Sequence, residues 1–425
     1  MEGVGLVVAA AAEPGAPGVV VKALLGLTAL VVLAYLGGHP VVRRLELRLG
    51  VSRVVAAGLP FLLLGLLARH DAIGVLSDRT VDHLRPVLHL GLGWIGLVVG
   101  MRVRLDQLGE LPRGTSTILA IGTGLPFAAL LGVGLVVLGL GRWAVGLDMF
   151  EVALLRDALL LATAGAVAAD TESLRLAAKS VAAPVRRALA QLTSLEELIG
   201  LLGLGLLTAY FRPASSWTLP ETAWLFITFG LPAVVGCVVY AILRVPASSS
   251  ESVALLLGVV AFTAGMASEL RLSALVVCFV VGVLLTNFPG DYHERVRELL
   301  ERLETSIYLL FLVVAGALWD PSGALGWALM ILVIATRLLA RWAAGRVVWR
   351  RIDVAWPPDA RRALVVSPLG TLPIAIVVNA MLLYPGEPGM SAVFTAIIAG
   401  AFLSEVIVQL YWRAGGSPGA PTEVP

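Results

Sequence analysis

Charge is what this sequence has least of. Asp, Glu, Lys and Arg make up 14% of its 425 residues, against 58% hydrophobic residues. Mean hydropathy is +0.92. So few charges cannot cover the surface of a water-soluble protein, and the lipid bilayer is the solvent that tolerates such a chain. The formal net charge of +2 offers no field for a strongly charged partner such as nucleic acid. Cysteine is scarce as well. Cys237 and Cys278 both fall in apolar runs, which argues against a disulfide framework or a zinc site and reads as two small buried hydrophobes. There is no metal-ligand pair, no histidine-rich helix and no nucleophile beside a base, so neither a cofactor nor an intramembrane enzyme is expected. Residues 1–17 lack a basic start and read as a mobile or interfacial tail rather than a cleaved signal. Residues 413–425 read as a short disordered tail. Gating by a fused nucleotide-binding module is not expected.

What is present is a series of apolar runs of membrane-spanning length, each needing about 20 residues. Thirteen are expected, at 18–37, 53–68, 84–101, 114–138, 151–171, 185–210, 222–243, 252–267, 271–287, 304–319, 324–346, 361–383 and 390–412. Together, residues 18–412 form one integral membrane domain. Basic residues cluster on one side of this series. Loops and helix ends after odd-numbered spans hold most of them, from Arg43 and Arg44 through Arg186 and Arg187 to Arg341, Arg346, Arg350, Arg351 and Arg413. The other side holds Arg69, Arg79, Arg85, Arg142, Arg212 and Arg271. This asymmetry places the C-terminus in the cytoplasm and the N-terminus outside. The charged stretch 291–304, DYHERVRELLERLE, reads as an interfacial connector on the cytoplasmic face. Lys22 and Arg156 lie near helix ends, where they can snorkel to water. Arg337 is deeper, and a cation there is costly unless it finds a partner.

Two spans are interrupted. The fifth ends in TAGAVAADTESLRL, where Asp170 and Thr171 follow a Gly/Ala-rich stretch. The twelfth carries VVSPLGTLPIAIVVNAML, with Ser367, Pro368, Gly370, Thr371 and Pro373 close together. Proline removes a helix donor and clashes with the preceding turn. Broken helices are tolerated in lipid only where protein or a water-filled cavity satisfies the backbone. Spans seven apart in an antiparallel series have opposite orientation, the pattern of inverted-topology repeats whose unwound segments cross near the midplane. The sequels match as well: SLEEL in the sixth span, LSEVI with Ser404 and Glu405 in the thirteenth.

Glu196 and Glu197 lie in the sixth span, and no charged residue separates them from Arg187 before or Arg212 after. Ten residues of helix put Glu197 roughly 15 Å from the inner end, near mid-bilayer. Adjacent helical side chains diverge by about 100°, so one glutamate can face Arg337 while the other faces a cavity. Thr193 precedes Glu197 by four residues and shares its face. A carboxylate in a partly hydrated cavity can hold either a proton or a small cation. The alternative is an inert buried ion network of Glu196, Glu197 and Arg337. Asp170 is either a direct ligand or a residue of the cytoplasmic mouth. Glu405 is either involved with the ion or a cytoplasmic-end residue. His89 reads as a helix-end hydrogen bonder rather than a pH sensor.

With these residues in place, the sequence resembles the cation/proton antiporter superfamily, the sodium/proton and potassium/proton exchangers, over most of its length. LGLGWIGLVVGMRVRLDQL (90–108) is similar to the family's third span. TAGMASELRLSALVVCFVVGVLLTN (263–287) is similar to its loop followed by a glycine-rich span. LLFLVVAGALWD (309–320) is similar to its phenylalanine- and glycine-containing span ending in Asp.

The resemblance implies an all-α membrane protein with crossing fifth and twelfth helices. It implies a scaffold plus a moving core that includes about 84–210 and 304–412. It also implies a homodimer working by elevator-like alternating access, in the cytoplasmic membrane of a prokaryote. In the family, the second acid of a pair on the sixth span binds the cation, and a basic residue on the eleventh span pairs with or neighbours the first. Matched by position, Glu197 is the cation- and proton-binding acid, Glu196 its partner and Arg337 the basic residue. Asp170 and Thr171 fall on the unwound fifth span. The implied partners are a monovalent cation, sodium foremost, and H+. This sequence departs from the family in having Glu at both positions of the pair, no Arg-Gly in SPLGTLP, and arginines in GMRVRLD. Because a guanidinium does not deprotonate in proteins, Arg337 cannot carry the exchanged proton. Electroneutral exchange, with the proton on Glu197, is therefore expected. Two other readings are a sodium-coupled symporter of an organic anion on the same fold, and a non-transporting membrane sensor or scaffold.

Overall fold

The computed structural model of the chain describes residues 58–69, 83–106, 114–148, 151–167, 183–213, 219–244, 249–290, 292–351 and 364–414. The expected first span, the tail 1–17, residues 415–425, Asp170 and Thr171 lie outside them. Among the described residues there are helices and no strand. In chain order they are α1 (Leu59–Arg69), α2 (Arg85–Met101), α3 (Thr115–Ala144), α4 (Val152–Ala166), α5 (Ala183–Tyr210), α6 (Glu221–Leu243), α7 (Ser249–Glu269), α8 (Ala274–Asn287), α9 (His293–Leu318), α10 (Ala324–Arg351), α11 (Thr371–Leu383) and α12 (Pro388–Ala414). Each coincides with one expected span. Six of them are long and apolar enough to cross a membrane by length and composition. Their outward faces are apolar as a bilayer requires: Phe226, Val234 and Val238 on α6 and Ile331, Leu339 and Trp342 on α10 are all exposed.

Two expectations change here. The stretch 291–304 is not a separate connector. From His293 it runs unbroken into the following span as α9, with Val296, Leu299 and Leu300 buried. An amphipathic face that finds protein to cover it has no need of the interface. Of the two cysteines, Cys278 is buried, but Cys237 is exposed on α6, where an apolar surround serves a thiol as well as a core does.

The chain divides into two compact units, Met1–Leu88 with Thr305–Trp319, and His89–Glu304 with Asp320–Pro425. In the first, α1 packs on the second half of α9 through Gly65 and Gly316, which sit against the backbones of Val313 and Leu62 respectively. In the second, α3, α4 and α5 pack with α10, α11 and α12. Among them, α4 and α5 are the fifth and sixth expected spans and α11 and α12 the twelfth and thirteenth, the pairs whose interruptions and sequels match. Helices α6, α7 and α8 pack together beside them, α6 and α8 against α5 and α8 against α11.

Close approach in lipid is achieved by removing side chains. Gly96 and Gly100 of α2 lie directly on the carbonyls of Leu275 and Phe279 of α8, and Gly282 of α8 lies on the Leu97 carbonyl. A Cβ at any of the three would collide with backbone. Replacing Gly100 by Val is expected to destabilise the protein by roughly 1–3 kcal/mol, the usual cost of overpacking. A lowered thermal midpoint in detergent checks this, and an unchanged midpoint refutes the seam.

Candidate ion site at two interrupted helices

α4 stops at Ala166 because Val167 turns to an extended conformation, φ −65° and ψ 138°. On the other side, Ser367 to Gly370 are non-helical and α11 begins at Thr371. The breakers divide the work. Pro368 lies within the extended segment, and Gly370, at φ −88° and ψ −159°, precedes the helix. Pro373 sits in the first turn of α11, where its missing N–H would have had no helical acceptor. The Leu369 amide donates to Ser404 Oγ of α12 at 3.0 Å. Ser404 thus satisfies unwound backbone, while the neighbouring Glu405 is half-buried.

Arg337 of α10 reaches both interruptions. It is 2% exposed. Its Nη1 donates to the carbonyls of Gly165 (2.9 Å) and Val167 (3.1 Å). Its Nη2 donates to the Ser367 carbonyl (3.3 Å), Ser367 Oγ (3.3 Å) and the Pro368 carbonyl (3.1 Å). A guanidinium is well suited to this position, since its planar fork offers five donors. The end of α4 also carries the negative pole of that helix, which favours a cation.

The hydrogen bonds of Arg337 thus go to the interrupted segments rather than to a glutamate. The hydrogen-bonded ion pair to Glu196 comes from Arg341, one turn further along α10, whose Nη2 donates to Glu196 Oε2 at 2.9 Å. The same nitrogen donates to the Ala166 carbonyl at 2.8 Å, and Nη1 to the Leu364 carbonyl at 3.2 Å. Arg341 reads from sequence as a cytoplasmic helix end, yet it is 4% exposed. The missed signal is spacing: residues four apart share a helix face, so a cation at 341 points where one at 337 points.

Glu196 and Glu197 are each 2% exposed. Gly200, one turn on, brings α5 against the α4 break. A Cβ there would lie 2.5 Å from Val167 Cγ2. Thr193 is fully buried, and its hydroxyl donates to the Leu189 (3.2 Å) and Ala190 (2.9 Å) carbonyls of its own helix. Its oxygen lone pairs remain able to accept. Among the described residues, two buried glutamates and two buried arginines gather at the interruptions, and their formal charges cancel. Neutrality lets so many charges stay out of water, and one added cation or proton disturbs it.

Arg156 departs from expectation too. It does not snorkel. It is 8% exposed, donates to Asp157 Oδ1 through Nε (2.9 Å) and Nη2 (2.8 Å), lies 3.3 Å from Glu387 and stacks on the Tyr384 ring at 4.3 Å. Arg142 of α3 pairs nearby in sequence with Glu151. This group ties the start of α4 to the α11–α12 connection, at the ends of these helices remote from the interruptions.

The structure is similar to solved structures of the sodium/proton antiporter MjNhaP1 from Methanocaldococcus jannaschii. One, at pH 8, matches with a TM-score of 0.67 and 15% identity over 93% of this chain and 98% of that one. Another, from an electron-microscopy map, matches with a TM-score of 0.60 and 16% identity over 92% and 96%. No family model matches the sequence, and no curated protein does. The chain has a cation/proton antiporter-like fold, carried by backbone arrangement rather than shared residues.

Proposed function

We propose that this chain is a secondary antiporter that exchanges a monovalent cation, sodium foremost, for H+. The observation that carries the reading is the placement of two adjacent buried carboxylates beside two interrupted helices in a fold of this kind. Glu197 is the group that holds cation and proton in turn. Glu196 is held by Arg341, and Arg337 is committed to the interrupted backbones. Both arginines are fixed charges in this reading, since a guanidinium does not deprotonate in proteins. One cation for one proton then leaves the four-charge cluster with the same net charge in both loaded states, which supports electroneutral exchange. Asp170, Thr171 and the Thr193 oxygen complete the ligand set in this reading, and Glu405 is a secondary participant. The interrupted helices and the acid pair belong to a core moving against a scaffold by alternating access. The protein works as a homodimer in a prokaryotic cytoplasmic membrane, its N-terminus outside and its C-terminus in the cytoplasm.

The test is proton flux in proteoliposomes on addition of sodium, lithium or potassium. The expected result is sodium-driven proton release with no accompanying current. Sodium uptake that requires an organic anion would point to the symporter instead. Cation binding without any flux would point to a sensor.

A further inference from the structure

A pocket of about 30 Å³ lies within the second unit, among α3, α5, α10 and the segment leading to Ser367. By volume it has room for about two waters. Leu192 and Val348 make part of its wall apolar, but Glu196 and Arg341 both line it. Three features give it polar character. Glu196 Oε1 lies 4.0 Å from where a Cβ on Gly122 would sit. Gly122, also in the wall, stands four residues before Pro126 inside α3, and proline has no N–H to give that carbonyl. The Nε–H of the buried Arg341 finds no hydrogen-bond acceptor, although both of its Nη atoms are engaged. A donor left so in a buried place marks a water site when the space beside it is polar and large enough.

The same chemistry sets what the pocket admits. A guanidinium repels a second cation placed beside it in a medium less polar than water. The oxygens on offer, from Glu196 and the Gly122 carbonyl, are too few to replace a metal ion's hydration shell. Water suits the walls: it accepts from Arg341 and donates to Glu196 and to Gly122. The lining reaches Trp349, beside Arg350 and Arg351 at the end of α10 that charge asymmetry assigns to the cytoplasm.

We propose that this pocket is a hydrated proton inlet inside the core, separate from the path the cation takes to Glu197. Water in it passes protons from the Arg350–Arg351 end of α10 to Glu196, and Glu196, as it takes one from that water, gives one to Glu197, the acid that holds the exchanged proton; the arginine keeps cations out. This rests on the exchange reading above.

The test separates two transport modes in proteoliposomes. One is isotopic sodium-for-sodium exchange, which needs no proton. The other is sodium-for-proton exchange. Filling the pocket with Gly122→Leu or Ala344→Leu is expected to slow sodium-for-proton exchange on the order of tenfold and to leave isotopic exchange near wild type. Gly122→Ala, whose methyl meets nothing closer than 4.0 Å, keeps the fold if the larger side chains do not, and is expected to act in the same direction more weakly. Equal loss of both modes in a folded variant overturns the inlet, because the pocket would then serve the common site or stability alone. No loss in either mode overturns it too. Wild-type protein with isotopic exchange and no proton-coupled exchange defeats the proposed function itself.

Discussion

Glu197→Gln is expected to abolish cation-driven proton flux while leaving a folded protein. Glutamine matches glutamate in size and keeps a carbonyl oxygen, so packing around a side chain that is 2% exposed is preserved. What goes is the negative charge and the ability to take up a proton. At a separation of about 4 Å and an effective dielectric constant near 20, one charge contributes about 4 kcal/mol to holding a monovalent cation. That is about a thousandfold in affinity. The measurement is sodium-driven proton flux in proteoliposomes, with monodisperse elution in detergent as the folding control. Flux comparable to wild type in the folded variant would remove Glu197 from the site. Glu196→Gln differs in kind: it leaves Arg341 buried without its counter-charge, so stability falls along with flux.

The second large effect is expected at Arg337, and it falls on the fold itself. Truncation to Ala withdraws the donor from five hydrogen bonds. Four of the five acceptors are main-chain carbonyls of interrupted helices, which have no neighbouring N–H to turn to. Leaving a buried polar group unsatisfied costs about 1–3 kcal/mol, and lipid offers no water in exchange. A total loss on the order of 5 kcal/mol follows, with a fall in thermal midpoint on the order of 10 °C. Arg337→Lys keeps the charge but offers three donors from a single point. It cannot span both interruptions, so partial recovery is expected. Thermal melting in detergent by fluorescence or size exclusion decides. If Arg337→Ala melts with the wild type while losing transport, Arg337 is an ion-site residue and not the brace described above.

Much of this was legible in the residue string. Hydropathy placed twelve of the expected spans where helices are found, since a segment in lipid must satisfy its own backbone bonds and be apolar along its length. The interruptions were legible from Pro368, Gly370 and Pro373 and from the polar sequel to Gly165, because those residues act on backbone chemistry locally. Glu196 and Glu197 stood out because intramembrane carboxylates are rare. Other features were not legible. Arg341 looked like a helix-end residue near the arginine-rich end of α10, and Arg156 looked like a snorkelling one. Both assignments relied on distance from the end of an apolar run, and that distance says nothing about which neighbour is waiting. Asp157 is 1% exposed and paired with Arg156, and nothing in a stretch that reads as a helix start singles it out.

By itself the sequence determined the solvent, the spans and the points where helices fail, because hydropathy and proline act over a few residues of one chain. Only the tertiary structure decided which arginine meets Glu196, what Arg337 holds, and where a pocket remains beside them. Those outcomes depend on residues from α3, α4, α5, α10, α11 and α12 converging in space. Electrostatic and hydrogen-bond partners are chosen by distance through the fold, which spacing along the chain does not encode.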